Sequence, residues 1–197
     1  MPARPNNLES RCDWAVDAPA AYIEYHDQEW GVAVRDDRAL YERVCLEGFQ
    51  AGLSWWTILS RRAGFREAFA NFDPHVVATF KESEIAELLQ DVRIIRHEGK
   101  IRAAIGNAKA VLALGDGGLT ELIWSHRPPV QSRPIDSAQV PTRSGQSLAL
   151  SRALKVAGFG FIGPTTAYAL MQACGLVNDH VSGCAAGDRL DASVLLP

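Results

Sequence analysis

Apolar side chains recur every three to four positions along nearly all of the 197 residues, and nowhere does apolar–polar alternation run long enough to make a strand. Side chains at that spacing share one face of a helix, so the pattern restricts the chain to an all-α fold of short helices. The start signals agree. Asp36 and Asp37 supply caps for a helix carrying Leu40, Val44 and Phe49, and Ser54 caps one carrying Trp55, Ile58 and Leu59. Asp73-Pro74 sets a cap before a first-turn proline, with Val76, Val77 and Phe80 behind it. Ser83 is expected to open a helix with Ile85, Leu88 and Leu89. The stretch from His97 to Leu114 carries Ile101, Ile105, Ala108 and Leu112 until Gly117-Gly118 stops it, and Leu119 to Trp124 reads as one more short helix. Four prolines between His126 and Arg143 forbid a continuous helix and predict an extended connection. Helices at Ser147 to Val156 and Thr165 to Cys174 follow, separated by Gly158-Phe159-Gly160-Phe161-Ile162-Gly163-Pro164.

The length suits a single domain over 1–197, with 1–10 and 185–197 expected to be flexible tails. Hydrophobic residues at 47% and charged residues at 22% are ordinary for a soluble globular chain. No apolar run approaches the ~20 residues of a membrane span, and Met1-Pro2-Ala3-Arg4-Pro5 lacks the apolar core of a signal peptide. A cytoplasmic protein is therefore expected, in which four cysteines are thiols or metal ligands and not disulfides. A net charge of −3 gives no overall attraction to nucleic acid, so such a partner needs a local basic patch.

Cys12 and His26 lie near one end of the chain, His180 and Cys184 near the other. The second pair is i, i+4, which shares one side of a turn if that segment is helical. Two thiolates and two imidazoles fill a tetrahedral zinc shell and leave no position open for water, so such a site is structural, a clip between the two ends. The other reading is four core thiols and satisfied histidines. Cys45 and Cys174 fall within apolar helical patterns and read as core thiols.

The glycines around Gly160 and Gly163 let the backbone turn tightly, and the helix starting at Pro164-Thr165 points unpaired amides outward as a phosphate-sized anion site. Helix, glycine-rich hairpin and helix make a helix-hairpin-helix arrangement that grips a nucleic-acid backbone; a plain helix-to-helix turn is the alternative. Arg93, Arg96, His97, Lys100, Arg102 and Lys109 share one stretch, and Arg133, Arg143, Arg152 and Lys155 flank the hairpin, as a DNA-facing patch or as a solvated face. Tyr22, Tyr25, Trp30, Tyr41, Phe49, Trp55 and Trp56 concentrate aromatic faces on which a flat heterocycle can stack. Glu47 sits on an otherwise apolar turn of helix, either as a surface group or as a buried acceptor.

Together these residues resemble the bacterial 3-methyladenine DNA glycosylase I family, a branch of the helix-hairpin-helix glycosylases. The matching strings are Arg11-Cys12-Asp13-Trp14, Tyr25-His26-Asp27-Gln28-Glu29-Trp30-Gly31-Val32, Cys45-Leu46-Glu47-Gly48-Phe49-Gln50-Ala51-Gly52-Leu53-Ser54-Trp55, and Met171-Gln172-Ala173-Cys174-Gly175-Leu176-Val177-Asn178-Asp179-His180, with Ile94-Ile95-Arg96-His97, Gly99-Lys100-Ile101 and Ile105-Gly106-Asn107-Ala108 between them. The resemblance implies an all-α fold with one zinc on Cys12, His26, His180 and Cys184. It also implies a base pocket of Tyr25, Glu47 and Trp55 with Tyr22 and Trp30 nearby. The loop Gln50-Ala51-Gly52-Leu53 is then expected to lie against the gap left in the duplex, with Gly160, Gly163 and Thr165 on the backbone. The expected reaction is excision of 3-methyladenine from alkylated double-stranded DNA by a monomer, with the free base as product. Lys81, Lys100, Lys109 and Lys155 are the only lysines, none in the helix after the hairpin, so base release without strand cleavage is expected. Asp179 abuts His180 and is left outside the catalytic set. Two other classes remain: a zinc-stabilised DNA-binding module without chemistry, and a zinc hydrolase with an open metal position.

Overall fold

The computed structural model describes residues 10–129 and 132–194. Its helices are α1 (Ala20–Gln28), α2 (Asp37–Gln50), α3 (Trp55–Leu59), α4 (Arg62–Ala68), α5 (Pro74–Val77), α6 (Glu82–Leu88), α7 (Glu98–Leu114), α8 (Gly118–Trp124), α9 (Gly145–Val156), α10 (Pro164–Ala173) and α11 (Ala185–Val194). No strand occurs among the described residues, and none of their helices is long and apolar enough to cross a membrane.

The expected caps hold in detail. Asp36 accepts from the Ala39 amide, Ser54 from Thr57 and Asp73 from His75, and His97 Nδ1 accepts from the Lys100 amide at the start of α7. Each satisfies a backbone donor that the first helical turn leaves without a partner. Helix α6 has its N-cap, Lys81, two residues before the expected Ser83: the Glu84 carboxylate reaches back to the Lys81 amide at 2.7 Å, and Ser83 lies inside the helix. Gly115, at φ 76°, ends α7, while Gly117 becomes the N-cap of α8 and does not stop the helix before it.

Helix α2 is the axis of the core. Leu40, Tyr41, Val44, Cys45, Leu46, Glu47, Gly48 and Phe49 are all buried, on every side of the helix, against α7, α8, α10 and α3. Phe49, Phe65, Phe69 and Phe72 stack in sequence beside it, Phe69 and Phe72 nearly parallel at 5.6 Å. Each such side chain contributes about 1.5–3 kcal/mol through its burial. Cys45 and Cys174 are core thiols, as expected. The hairpin between α9 and α10 is pressed against this core. Phe161 (φ 53°) lies over the backbones of Gly48 and Gly99, where an added Cβ would stand 3.4 Å from its atoms.

The chain after Cys184 is not a flexible tail as far as Val194. Ala185–Val194 is α11, held by buried Ala186, by Arg189 donating to the Asp27 carbonyl at 3.0 Å, and by Asp188 and Asp191 paired with Arg133. Its apolar face is only one turn deep, Ala186 and Leu190, too short a period to read in advance. Residues 1–9 and 195–197, the remainder of the two expected tails, lie outside the described residues.

Gly175 closes α10 at φ 77°, and a Cβ there would lie 2.6 Å from the Gly31 carbonyl oxygen and 2.8 Å from the Ala33 amide nitrogen. Backbone cannot swing aside as a side chain can. Gly175→Ala is expected to cost about 2–5 kcal/mol from left-handed strain plus overlap, read as a lowered urea midpoint.

Candidate active site and metal centre

The cavity of about 300 Å³ that holds the aromatic cluster is lined by residues from both ends of the chain, from Cys12 to Val181. Helix α1 contributes Tyr22 and Tyr25, α2 contributes Glu47 and Gln50, α3 contributes Trp55, and Trp30 comes from the turn after α1. All five residues expected to contact the base therefore converge. Tyr25 and Trp55 stand 5.3 Å apart with planes 45° apart, a corner too tight to admit a third ring between them. The open cavity therefore lies beside this corner and not between its two rings. Tyr22 stacks on Trp56 at 5.8 Å, and Trp30 packs edge-on to Trp14 at 5.1 Å.

Glu47 is 4% exposed, so the surface reading of this residue is excluded. Its Oε2 has no hydrogen-bond partner, and neither does the Trp55 Nε1. Two such atoms on one cavity wall are costly to leave unpaired and are ready to meet a ligand. Burial raises the Glu47 carboxyl to about 8, against a smaller lowering by the Arg43 guanidinium one turn before it on α2. Burial also keeps the Tyr25 phenol protonated, a donor beside the carboxyl.

The sequence reading missed several lining residues. Trp14, to which the sequence pattern assigns no role, lines the cavity and lies with its ring 5.0 Å from that of Tyr22. Ser137 and Val140 come from the proline-rich connection, which lies across the cavity, and Gln172 and Asp179 close the side nearest α10. Asp179 Oδ2 accepts from the Tyr168 hydroxyl at 2.7 Å and from Gln172 Nε2 at 2.8 Å. Periodicity cannot find such residues, because tertiary contact and not helix face places them.

At the cavity wall, Cys12, and behind it His26 and Cys184, bring their ligand atoms within 4.8 Å of one another, all buried. His180, also fully buried, lies beside them with its ring 4.9 Å from that of His26 but outside that cluster. The segment from His180 to Cys184 is not helical. It is a turn, with Gly183 at φ 82° and the Cys184 amide bonded to the Val181 carbonyl, so the i, i+4 spacing acts through a loop. The donor chemistry fits a metal. His26 Nδ1 is engaged by Asp27 at 2.8 Å and His180 Nδ1 by Asn178 at 3.0 Å, which leaves each Nε2 as the ligand atom. The Cys12 thiol beside it draws the Cys184 thiol down towards thiolate while Cys12 itself is pushed up, and burial holds His180 neutral, at about 4. His26, His180 and Cys184 are buried away from the cavity lining, and Cys12 alone of the four borders it.

The expected DNA-facing residues divide. Gly52 (φ 84°) and Leu53, 42% exposed, form an open turn after α2, and Gln50 lines the cavity. Gly163 and Thr165 stand at an N-terminus with no side-chain cap, where Ala167 makes the first intrahelical bond to the Gly163 carbonyl. Gly160 does not offer its amide outward as expected. It donates to Asn107 Oδ1 at 2.7 Å, and an added Cβ would meet Ala103 at 3.2 Å, so this glycine serves close packing on α7. The basic patch is also smaller than its composition suggests. Arg93 pairs with Asp91 and Glu67, Arg102 with Glu82 and Glu98, and Lys100 is buried.

Between about pH 4.5 and 8 an unfolded chain ionises Glu47 while the folded protein holds it protonated, so its burial destabilises the fold progressively as pH rises through that window. Glu47→Gln is expected to remove this slope. Relative to wild type it gains stability from acid to pH 8, read from urea midpoints.

A methyladenine glycosylase family model matches residues 14–187. DNA-3-methyladenine glycosylase 1 of Escherichia coli K12 is 49% identical over 179 residues, covering 88% of this chain and 95% of its own length. A crystal structure of 3-methyladenine DNA glycosylase I superposes with a TM-score of 0.85 at 47% identity, over 89% of this chain and 98% of the other. The Staphylococcus aureus 3-methyladenine DNA glycosylase I, in a structure that shows the basis of 3-methyladenine recognition, gives 0.84 at 30% identity over 92% and 98%. With its cavity, its buried acid and these similarities, the chain belongs to the methyladenine glycosylase family.

Proposed function

We propose that this protein excises 3-methyladenine from alkylated double-stranded DNA by hydrolysing the N-glycosidic bond, without cleaving the strand. The observation that carries this is the Glu47 carboxyl, its Oε2 unpartnered, in an aromatic cavity of about 300 Å³. Methylation at N3 makes the base cationic, so the bond to C1′ is already weak and no general acid is needed. The N9–C1′ bond breaks with its electron pair moving to N9, which neutralises the base. Water then adds to the sugar cation at C1′ and gives up its proton to solvent.

The protein's own work is extrusion and selection. Unstacking costs a few kcal/mol, offset by contact with Trp55, Tyr25, Tyr22 and Trp30. Glu47 selects by charge. With its carboxyl raised to about 8, the free site is mostly protonated at neutral pH. A cationic purine stabilises the anion and draws the proton off, whereas a neutral adenine supplies no such compensation. Gln50, Gly52 and Leu53 face the vacated stack, and the N-terminus of α10 with Gly163 and Thr165 holds a phosphate. We place the protein in the cytoplasm as a monomer acting on chromosomal DNA.

Cys12, His26, His180 and Cys184 would hold one zinc ion. Bound there, zinc supplies a closed Lewis-acidic tie between the two ends of the chain and takes no part in the reaction. The residues around it fix its donors: Asp27, itself held by Arg11 at 2.7 Å, orients His26, and Asn178 orients His180.

Incubation with alkylated DNA is expected to release 3-methyladenine, identified by chromatography, with the strand left intact. Glu47→Gln is expected to slow release about a hundredfold or more while the far-ultraviolet spectrum is unchanged. Wild-type rates in that variant overturn the selection by charge. Elemental analysis is expected to find one zinc per chain, and its removal by a chelator to lower the melting temperature; an unchanged melt in metal-free protein overturns the tie.

A further inference from the structure

Lys100 is 7% exposed, a rare position for an ammonium group, so it stands apart from the DNA-facing patch that its basic stretch suggested. From the first turn of α7 its Nζ donates to the Phe49 carbonyl at 2.9 Å and to the Ala51 carbonyl at 2.7 Å. These are the two carbonyls that flank Gln50. Gln50 lines the cavity one turn after Glu47, and Leu53, whose amide bonds to the Gln50 carbonyl at 2.7 Å, follows on the exposed turn. A helix end can be closed without burying a charge, and Gly52 at φ 84° already supplies the backbone turn. Desolvating an ammonium to bind these two carbonyls is more than capping requires. The same turn of α7 also meets the hairpin, where Gly99 lies under Phe161. One side chain thus ties the loop after α2 to the helix on which the hairpin rests.

We propose that Lys100 is a positioning residue for excision: by bonding to both carbonyls around Gln50, it fixes where the Gln50–Leu53 loop stands relative to the base cavity when a duplex is opened. The proposal rests on the function given above. It separates two steps. Capture of a free base depends on Glu47, Tyr25 and Trp55, which Lys100 does not touch, whereas opening a duplex depends on the loop.

The test compares wild type, Lys100→Met and Lys100→Arg on alkylated duplex DNA, on alkylated single strands and in binding free 3-methyladenine. The Met variant is expected to lose about tenfold or more in kcat on duplex, with a smaller loss on single strands and less than a twofold change in Kd for the free base. The Arg variant, which keeps charge and donors, is expected to recover most of the duplex rate. If the Met variant fails to fold, Lys100→Gln, which keeps one donor group, is expected to show the same split. A wild-type duplex rate in the Met or Gln variant overturns the proposal, as does an equal loss in all three measurements. Wild-type protein that binds the free base but releases none from either DNA overturns the underlying function instead.

Discussion

The burial of α2 on all its sides from Val44 to Phe49 is the constraint from which the rest follows. A stretch of helix with no wet face has nowhere to send a carboxylate, so Glu47 is directed into the cavity beside it. That opening is walled by rings from α1 and α3, Tyr25 and Trp55, which meet at 5.3 Å. The chemistry of the site is thus a by-product of core packing around one misfit residue. The core tolerates the misfit because burial keeps the carboxyl in its neutral form.

Much of this was legible in the residues. Helix existence followed from the three-to-four spacing, and caps such as Asp36, Ser54 and Asp73 marked starts to the residue, because a side-chain oxygen opposite an unpaired amide is a local event. The aromatic cluster and Glu47 stood out because a carboxylate on an apolar stripe violates the pattern around it. What was not legible depends on distant contacts. The helix Ala185–Val194 is stabilised by Arg133 and by Asp27, neither near in sequence. Ser137 and Val140 line the cavity from an irregular segment whose residues carry no periodic signal.

The basic stretch from Arg93 to Lys109 shows how composition overstates a surface. Its arginines are mostly spent on nearby acids, in exposed pairs that contribute little to stability, and its lysine at 100 faces inward. Arg96, Arg152 and Lys155 remain exposed without an ion pair among the described residues. The hairpin glycines divide in the same way: Gly163 opens a helix end, whereas Gly160 is consumed by Asn107. Counting residue types located the right region, but hydrogen-bond partners decide which members of it can meet a phosphate.

The sulfur of Cys12 accepts a hydrogen bond from the amide of Val181, 169 positions along the chain, and both residues line the cavity. The site is therefore among the last things the polypeptide can complete. A chain still on the ribosome has no closed chamber until residue 181 has left the exit tunnel.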